Sequence, residues 1–129
     1  MLVLDTHIWL WWMSNAEELK PEWKKRIDMV PEVGVSAISL FEVAWLAQRE
    51  RIDLGCATDW WFEQALGGSN IQLLPITPSI AIQATNLPEH HRDPQDRLII
   101  ATAIEHQAEL ISADSKFKLY RELSGLLLT

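Results

Sequence analysis

Five carboxylates stand where the chain passes from one local pattern to another: Asp5, Glu42, Asp93, Asp96 and Asp114. Asp5 closes the apolar run Met1-Leu2-Val3-Leu4, and Asp114 follows Leu110-Ile111-Ser112. Glu42 lies just inside a helical stretch after the run Val33 to Ser36. Asp93 and Asp96 open another in His91-Arg92-Asp93-Pro94-Gln95-Asp96-Arg97-Leu98-Ile99. If the apolar runs are parallel strands, their ends share one edge, and ligands bind there where strand order reverses. Carboxylates from four segments then converge. Like charges at that separation need a cation, or one of them takes up a proton. An all-oxygen set selects a hard ion, Mg²⁺ or Mn²⁺, whose chemistry is the activation of water and of phosphate esters.

Each acid also has a plainer reading. Asp5 can cap the following helix through its side chain. Ser39-Leu40-Phe41-Glu42 matches a capping box, in which the glutamate folds back onto a backbone N–H. Asp93 precedes Pro94 and suits an N-cap, and Asp96 then occupies the third helical position, where the helix dipole favours a negative charge. Asp114 can begin the turn into Ser115. Thr6 and Ser112 bring hydroxyls to the same edge and are candidates for orienting the carboxylates or water. His7, His90 and His91 read as surface or packing residues, with no catalytic assignment.

The elements that must position these residues follow from periodicity and caps. Thr6 to Met13 is apolar and aromatic at helical spacing, and Pro21 suits the first position of a helix to about Val30. Val33 to Ser36 reads as a strand, and Ile38 to Arg49 as a helix with a broad apolar face. Thr58 opens a further helix that Gly67-Gly68 should end with a left-handed cap. Ile71 to Leu74 is a third strand. Thr77-Pro78 starts a helix over Ser79 to Asn86, and Asp93-Pro94 one that reaches about Gln107, apolar nearly all round between Leu98 and Ile104 except at Thr102 and therefore deeply buried. Glu109 to Ser112 is a fourth strand, Lys116 to Tyr120 a short helix and Leu126-Leu127-Leu128 a fifth strand. Strands alternating with helices imply a parallel sheet covered on both faces.

Composition bounds the rest. At 129 residues, 48% hydrophobic and 22% charged, the chain fits a single globular domain, 1–129, with one real core. No apolar run approaches the ~20 residues of a membrane span. The one cysteine, Cys56, cannot form an internal disulfide, which fits a reducing cytoplasm. A net charge of −7 argues against holding a polyanion by field alone. Some of that charge belongs to the acidic cluster, which a metal would offset. Lys20, Lys24, Lys25 and Arg26 read as a solvated helix face. Seven tryptophans are more than a small core easily buries, so some belong to a protein interface.

Three strings carry a family likeness. Leu4-Asp5-Thr6-His7-Ile8-Trp9, Val35-Ser36-Ala37-Ile38-Ser39-Leu40-Phe41-Glu42-Val43-Ala44 and His91-Arg92-Asp93-Pro94-Gln95-Asp96-Arg97-Leu98-Ile99-Ile100-Ala101 resemble the PIN-domain nucleases, above all the VapC toxins of toxin–antitoxin pairs. The resemblance covers almost the whole chain. It implies a three-layer α/β/α sandwich and a Mg²⁺- or Mn²⁺-dependent endoribonuclease that cuts single-stranded or loop RNA to leave a 5′-phosphate. It also implies a dimer held in check by a cognate antitoxin. By the same resemblance the metal-binding aspartate is the one immediately before Arg-Leu, Asp96, with Asp5 as the other direct ligand. Glu42 and Asp114 would hold a second ion or orient water, and Asp93 would serve mainly as the cap. Two other classes stay open: a PIN-like binding module without catalysis, and an Asp-nucleophile phosphatase. The phosphatase needs a second Asp two residues after the first, where this chain has His7.

Overall fold

The computed structural model describes all residues, 1–129. Its sheet has five strands, all parallel: β1 (Leu2–Leu4), β2 (Val33–Ser36), β3 (Ile71–Leu74), β4 (Glu109–Ile111) and β5 (Leu127–Leu128). The order across the sheet is β3-β2-β1-β4-β5, which puts β1 at the centre. Leu2, Val3 and Leu4 pair with Val33, Gly34 and Val35 on one side and with Glu109, Leu110 and Ile111 on the other. The chain steps outward from β1 to β2 and β3, then crosses to the opposite side for β4. The reversal therefore lies between β1 and β4, and the residues just past their C-termini are Asp5 and Ser112–Asp114.

Six α-helices connect and cover the strands: α1 (Thr6–Ser14), α2 (Pro21–Met29), α3 (Ala37–Gln48), α4 (Thr58–Leu66), α5 (Pro78–Asn86) and α6 (Pro94–Glu105). Two hydrophobic clusters make the α/β/α layering concrete. In one, Val3 and Leu110 meet Ile80, Ala84, Ile99, Ile100 and Ala103 from α5 and α6. In the other, Leu2, Leu4, Val33, Val35 and Ile111 meet Ile8, Trp9, Trp23, Ile27 and Val43 from α1, α2 and α3. Alternate residues of β1 thus face opposite layers, as the two-residue period of a strand requires. The central strands β1 and β2 are buried along their whole length, whereas edge strand β3 leaves Gln72 and Leu73 exposed.

α6 is buried from Ile99 to Ala103, and Thr102 is included because its hydroxyl donates back to the Leu98 carbonyl at 2.7 Å. Trp9 is fully buried, with the Trp61 ring edge-on at 4.9 Å, whereas Trp60 is exposed. Lys20, Lys24, Lys25 and Arg26 are all exposed around α2. Lys24 pairs with Asp28 at 2.7 Å, and Arg26 with Glu109.

Three local expectations need correction. Gly67 ends α4 in the right-handed region (φ −79°, ψ −11°). The left-handed positions that follow helices are Asn15, Glu50 and Gln107. Gly67 is needed for space instead, because a Cβ there would come within 2.8 Å of the Glu63 carbonyl oxygen. The short helix expected at Lys116 to Tyr120 is present as a single 3₁₀ turn, Phe117–Leu119, and a second, Arg121–Leu123, follows it. And α3 begins at Ala37, one residue early, with Ser36 as N-cap and its hydroxyl accepting from the Ile38 N–H at 3.3 Å. No helix is long and apolar enough to cross a membrane.

Candidate metal centre

That early start of α3 matters for Glu42. With Ser36 as the cap, Ser39 is inside the helix and the capping box does not form. Ser39 is buried, and its hydroxyl lies 2.8 Å from that of Thr6. The Thr6 hydroxyl donates to Glu42 Oε1 at 2.7 Å. Glu42 is therefore aimed from α3 toward the end of β1 by the first residue of α1.

Asp5 is both a cap and a buried acid. Its Oδ1 accepts from the Ile8 N–H at 2.9 Å, which closes the first turn of α1. Burial pushes its pKa up to about 6, against the opposing hydrogen bonds of Ser112 and the Ile8 N–H, and the nearby Glu42 charge adds to the rise. Such burial favours the neutral acid, so ionising this carboxyl near neutral pH needs a compensating interaction.

The second group forms at the start of α6. Asp93 is the N-cap, with Oδ1 accepting from the Gln95 N–H at 2.9 Å, and Asp96 follows in the first turn. Burial, then the charges of Asp93, Glu42 and Asp114, drive Asp96 up to about 7, while His91 pulls the other way. Asp114, after β4, is the opposite case. Burial alone would raise it, but the Lys116 N–H and the His91 ring hold it below the usual carboxylate range. Its backbone N–H donates to the Ser112 hydroxyl at 3.0 Å.

The residue the sequence reading passed over is His91. Its ring is nine-tenths buried, and Nε2 lies 2.8 Å from Asp96 Oδ2 and 2.9 Å from Asp114 Oδ2. One donor atom from each of His91, Asp96 and Asp114 falls within 4.8 Å of the others, a spacing that fits metal ligation. Asp5 and Glu42 lie outside that trio. His7 and His90 are exposed. A near-helix-start histidine gives no periodic signal, since its loop is fixed by distant contacts. The His91 N–H donates to the Tyr120 hydroxyl at 2.9 Å, and the ring meets Phe117 edge-on at 6.1 Å. Arg97 pins the same loop from α6, donating to the carbonyls of Leu87 (2.7 Å), Pro88 (3.0 Å), His91 (3.1 Å) and Thr85 (3.3 Å). The Asp-Arg pair of the third string thus has a division of labour: Asp96 faces the cluster, and Arg97 holds the loop that delivers His91.

Carboxylates at a strand-order reversal in this sheet define a class, and the chain belongs to the PIN domain family, whose model matches residues 2–123. Over 121 residues it is 39% identical to ribonuclease VapC22 of Mycobacterium tuberculosis, covering 93% of this chain and 92% of that protein. Two solved structures share the fold. VapBC2 from Rickettsia felis, bound to a DNA fragment from its promoter, superposes with a TM-score of 0.73 at 15% identity, over 99% of this chain and 98% of that one. A toxin–antitoxin complex from Klebsiella pneumoniae gives 0.67 at 22% identity, over 100% and 97%.

Proposed function

We propose that this chain is a VapC-type endoribonuclease, a cytoplasmic toxin that hydrolyses RNA phosphodiesters with the help of Mg²⁺ or Mn²⁺. The observation that carries the reading is the gathering of Asp5, Glu42, Asp96 and Asp114 near the β1–β4 reversal, where burial, with neighbouring carboxylates adding to it, raises the Asp5 and Asp96 carboxyls to about 6 and about 7. The 39% identity to a ribonuclease over nearly the full chain supports the same activity. An Asp-nucleophile phosphatase has no such support.

The donor set fits a hard divalent ion, because it offers carboxylate oxygens in a partly buried pocket. Asp96 and Asp114 would hold it, with Asp5 as a further ligand from the end of β1. When bound, the ion supplies Lewis acidity toward a phosphate ester and toward water. The chain's own groups do the rest. Glu42, oriented by Thr6, accepts the proton from the attacking water. Asp5, fixed as the α1 cap, cannot swing away. The tight packing around β1 keeps the carboxylates in register. With a net charge of −7, the protein has little general attraction for RNA, so metal at the acidic edge is the main electrostatic anchor.

A nuclease of this kind is harmful to its own cell unless restrained, so the proposal includes a cognate antitoxin partner and a toxin homodimer. The similar solved structures include a toxin–antitoxin complex. The test is incubation of a mixed RNA pool with the purified chain. Cleavage in Mg²⁺ or Mn²⁺, abolished by chelation and by Asp96→Asn, is the expected result. RNA left intact under every metal condition, with the protein folded, would leave the non-catalytic binding module as the better reading.

A further inference from the structure

His91, Asp96 and Asp114 have the spacing of a mixed nitrogen–oxygen metal site. Donors about 2.1 Å from an octahedral ion stand roughly 3 Å apart at right angles, and the His91 Nε2 contacts at 2.8 and 2.9 Å agree with that. Distance alone would make His91 a ligand. The other ring nitrogen decides otherwise. The Asp93 backbone N–H donates to His91 Nδ1 at 3.3 Å, so Nδ1 must present its lone pair. The ring hydrogen then resides on Nε2, the atom that faces the two carboxylates, and a nitrogen that carries hydrogen has no lone pair to give a metal. Nε2–H donates to Asp114 Oδ2 and lies against Asp96 Oδ2.

We infer that His91 is a positioning residue that holds the Asp114 carboxylate through its Nε2–H, keeps it at ligating separation from Asp96, against which the ring lies, and itself stays outside the coordination sphere. The inference rests on the metal-site reading above and adds to it a residue that none of the family-like strings marks as functional. Four contacts make the ring a fixed brace: Asp93 N–H on Nδ1, the Tyr120 hydroxyl on the His91 N–H, Phe117 against the ring, and Arg97 on the His91 carbonyl. Asp96 and Asp114 come from separate segments and repel each other, so a fixed ring between them that donates to Asp114 and lies against Asp96 sets their spacing before any ion arrives. A hydrogen bond to a ligating carboxylate is the kind of outer contact whose loss costs metal affinity ten- to a hundredfold. The direct shell then stays all-oxygen, which keeps the preference for Mg²⁺ and Mn²⁺ over ions that favour imidazole.

The experiment is Mn²⁺ binding to the full chain without RNA, by calorimetry and pulsed electron paramagnetic resonance. His91→Ala should weaken Mn²⁺ binding about 10- to 100-fold. His91→Gln, whose amide N–H can reach the same oxygens, should recover most of the loss. Wild type should show no strong coupling to a directly coordinated ¹⁴N. Strong ¹⁴N coupling that His91→Ala removes would overturn the inference by making His91 a ligand. Equal Mn²⁺ affinity in wild type and His91→Ala would overturn it by making the brace irrelevant. If His91→Ala does not fold, the resonance signal of wild type and the affinity of His91→Gln decide the matter. Wild type that cuts RNA in Mn²⁺ while either overturning result holds removes this inference alone. Wild type that binds no Mn²⁺ removes the metal-site reading with it.

Discussion

The acidic edge has two halves, and they manage the same charge differently. At the end of β1, Asp5 and Glu42 are oriented by hydroxyls and backbone N–H groups: Thr6 on Glu42, Ile8 N–H on Asp5. At the start of α6, Asp96 and Asp114 are gathered around one imidazole. The first half is built on the end of β1, the start of α1 and the interior of α3, so it is as rigid as those elements. The second depends on the loop from Leu87 to Asp93, held by Arg97 and Tyr120. Dipoles orient a carboxylate without removing its need for a counter-charge, and both halves keep one acid well above its normal range, Asp5 at about 6 and Asp96 at about 7. Burial is the first cause in both, and Glu42 adds to the rise at each, so the two halves are coupled through that one carboxylate.

The largest effect expected is on catalysis. Asp96→Asn and Asp5→Asn should each lower RNA cleavage at least ~10²-fold, a few kcal/mol of transition-state stabilisation. Both should fold, because Asn caps α1 about as well as Asp and Asp96 is not the cap of α6. Single-turnover cleavage together with metal-dependent melting checks this. Loss from one variant only would show that a single half does the chemistry.

The second expectation concerns pH. Asp5 and Asp96 have folded-state values above the unfolded 3.8, so the folded protein binds more protons than the unfolded chain between about 4 and 7. Stability that is present below that window is lost as pH rises through it. The melting temperature of metal-free protein should fall from pH 5 to pH 8, and Asp96→Asn should flatten the fall relative to wild type. Millimolar Mn²⁺ should restore more at pH 8 than at pH 5, since the ion binds only the ionised, folded cluster. A melting temperature independent of pH in both proteins would show that the carboxylates are compensated without metal.

Thr6→Val tests the hydroxyl-held half alone. It removes the hydrogen bond that aims Glu42 and leaves Ser39 without its partner, at a cost of about 1–3 kcal/mol. Cleavage should fall roughly tenfold, about 1.4 kcal/mol in the barrier, and Thr6→Ser should restore it. Unchanged kcat in Thr6→Val would mean that Glu42 needs no such guide. The smallest effect belongs to Asp93, three residues from Asp96. Asp93→Asn should be near neutral, and Asp93→Ala should cost about 1 kcal/mol as a lost cap with metal affinity retained, because the contact to His91 comes from the Asp93 backbone.

Most of the architecture could be read from local signals. The five strands, the helices and their Pro-marked starts at Pro21, Pro78 and Pro94 follow from apolar runs and capping chemistry that neighbours in sequence decide. Asp93 as the cap of α6 was available for the same reason, whereas local chemistry left Asp96 open and only the family resemblance singled it out. What escaped was set by contacts across the fold. His91 owes its place to Tyr120, Phe117 and Arg97, 29, 26 and 6 residues away in sequence. Glu42 looked like half of a capping box because Ser39 lies three residues before it. The helix in fact starts from Ser36, and only the Thr6–Ser39 contact shows that Ser39 is committed elsewhere. Gly67 matched a left-handed cap by type, but its role is to leave room for the Glu63 carbonyl.

The strand order also fixes when the acidic edge can exist during synthesis. β1 is the central strand, yet the partner on its β4 side is not made until Glu109–Ile111, more than a hundred residues later. Until then β1 has β2 alone, and Asp5 lacks the Ile111 carbonyl to which its backbone N–H donates at 3.2 Å. Pairings so far apart in sequence form late, after the loop-closure entropy of the whole intervening chain is overcome. A chain that has not yet reached Glu109 therefore carries Asp5 and Glu42 as isolated acids in an unfinished sheet. Asp5, Glu42, Asp96 and Asp114 come together only after β4 has paired with β1, so the acidic edge is a product of the longest-range pairing in the sheet.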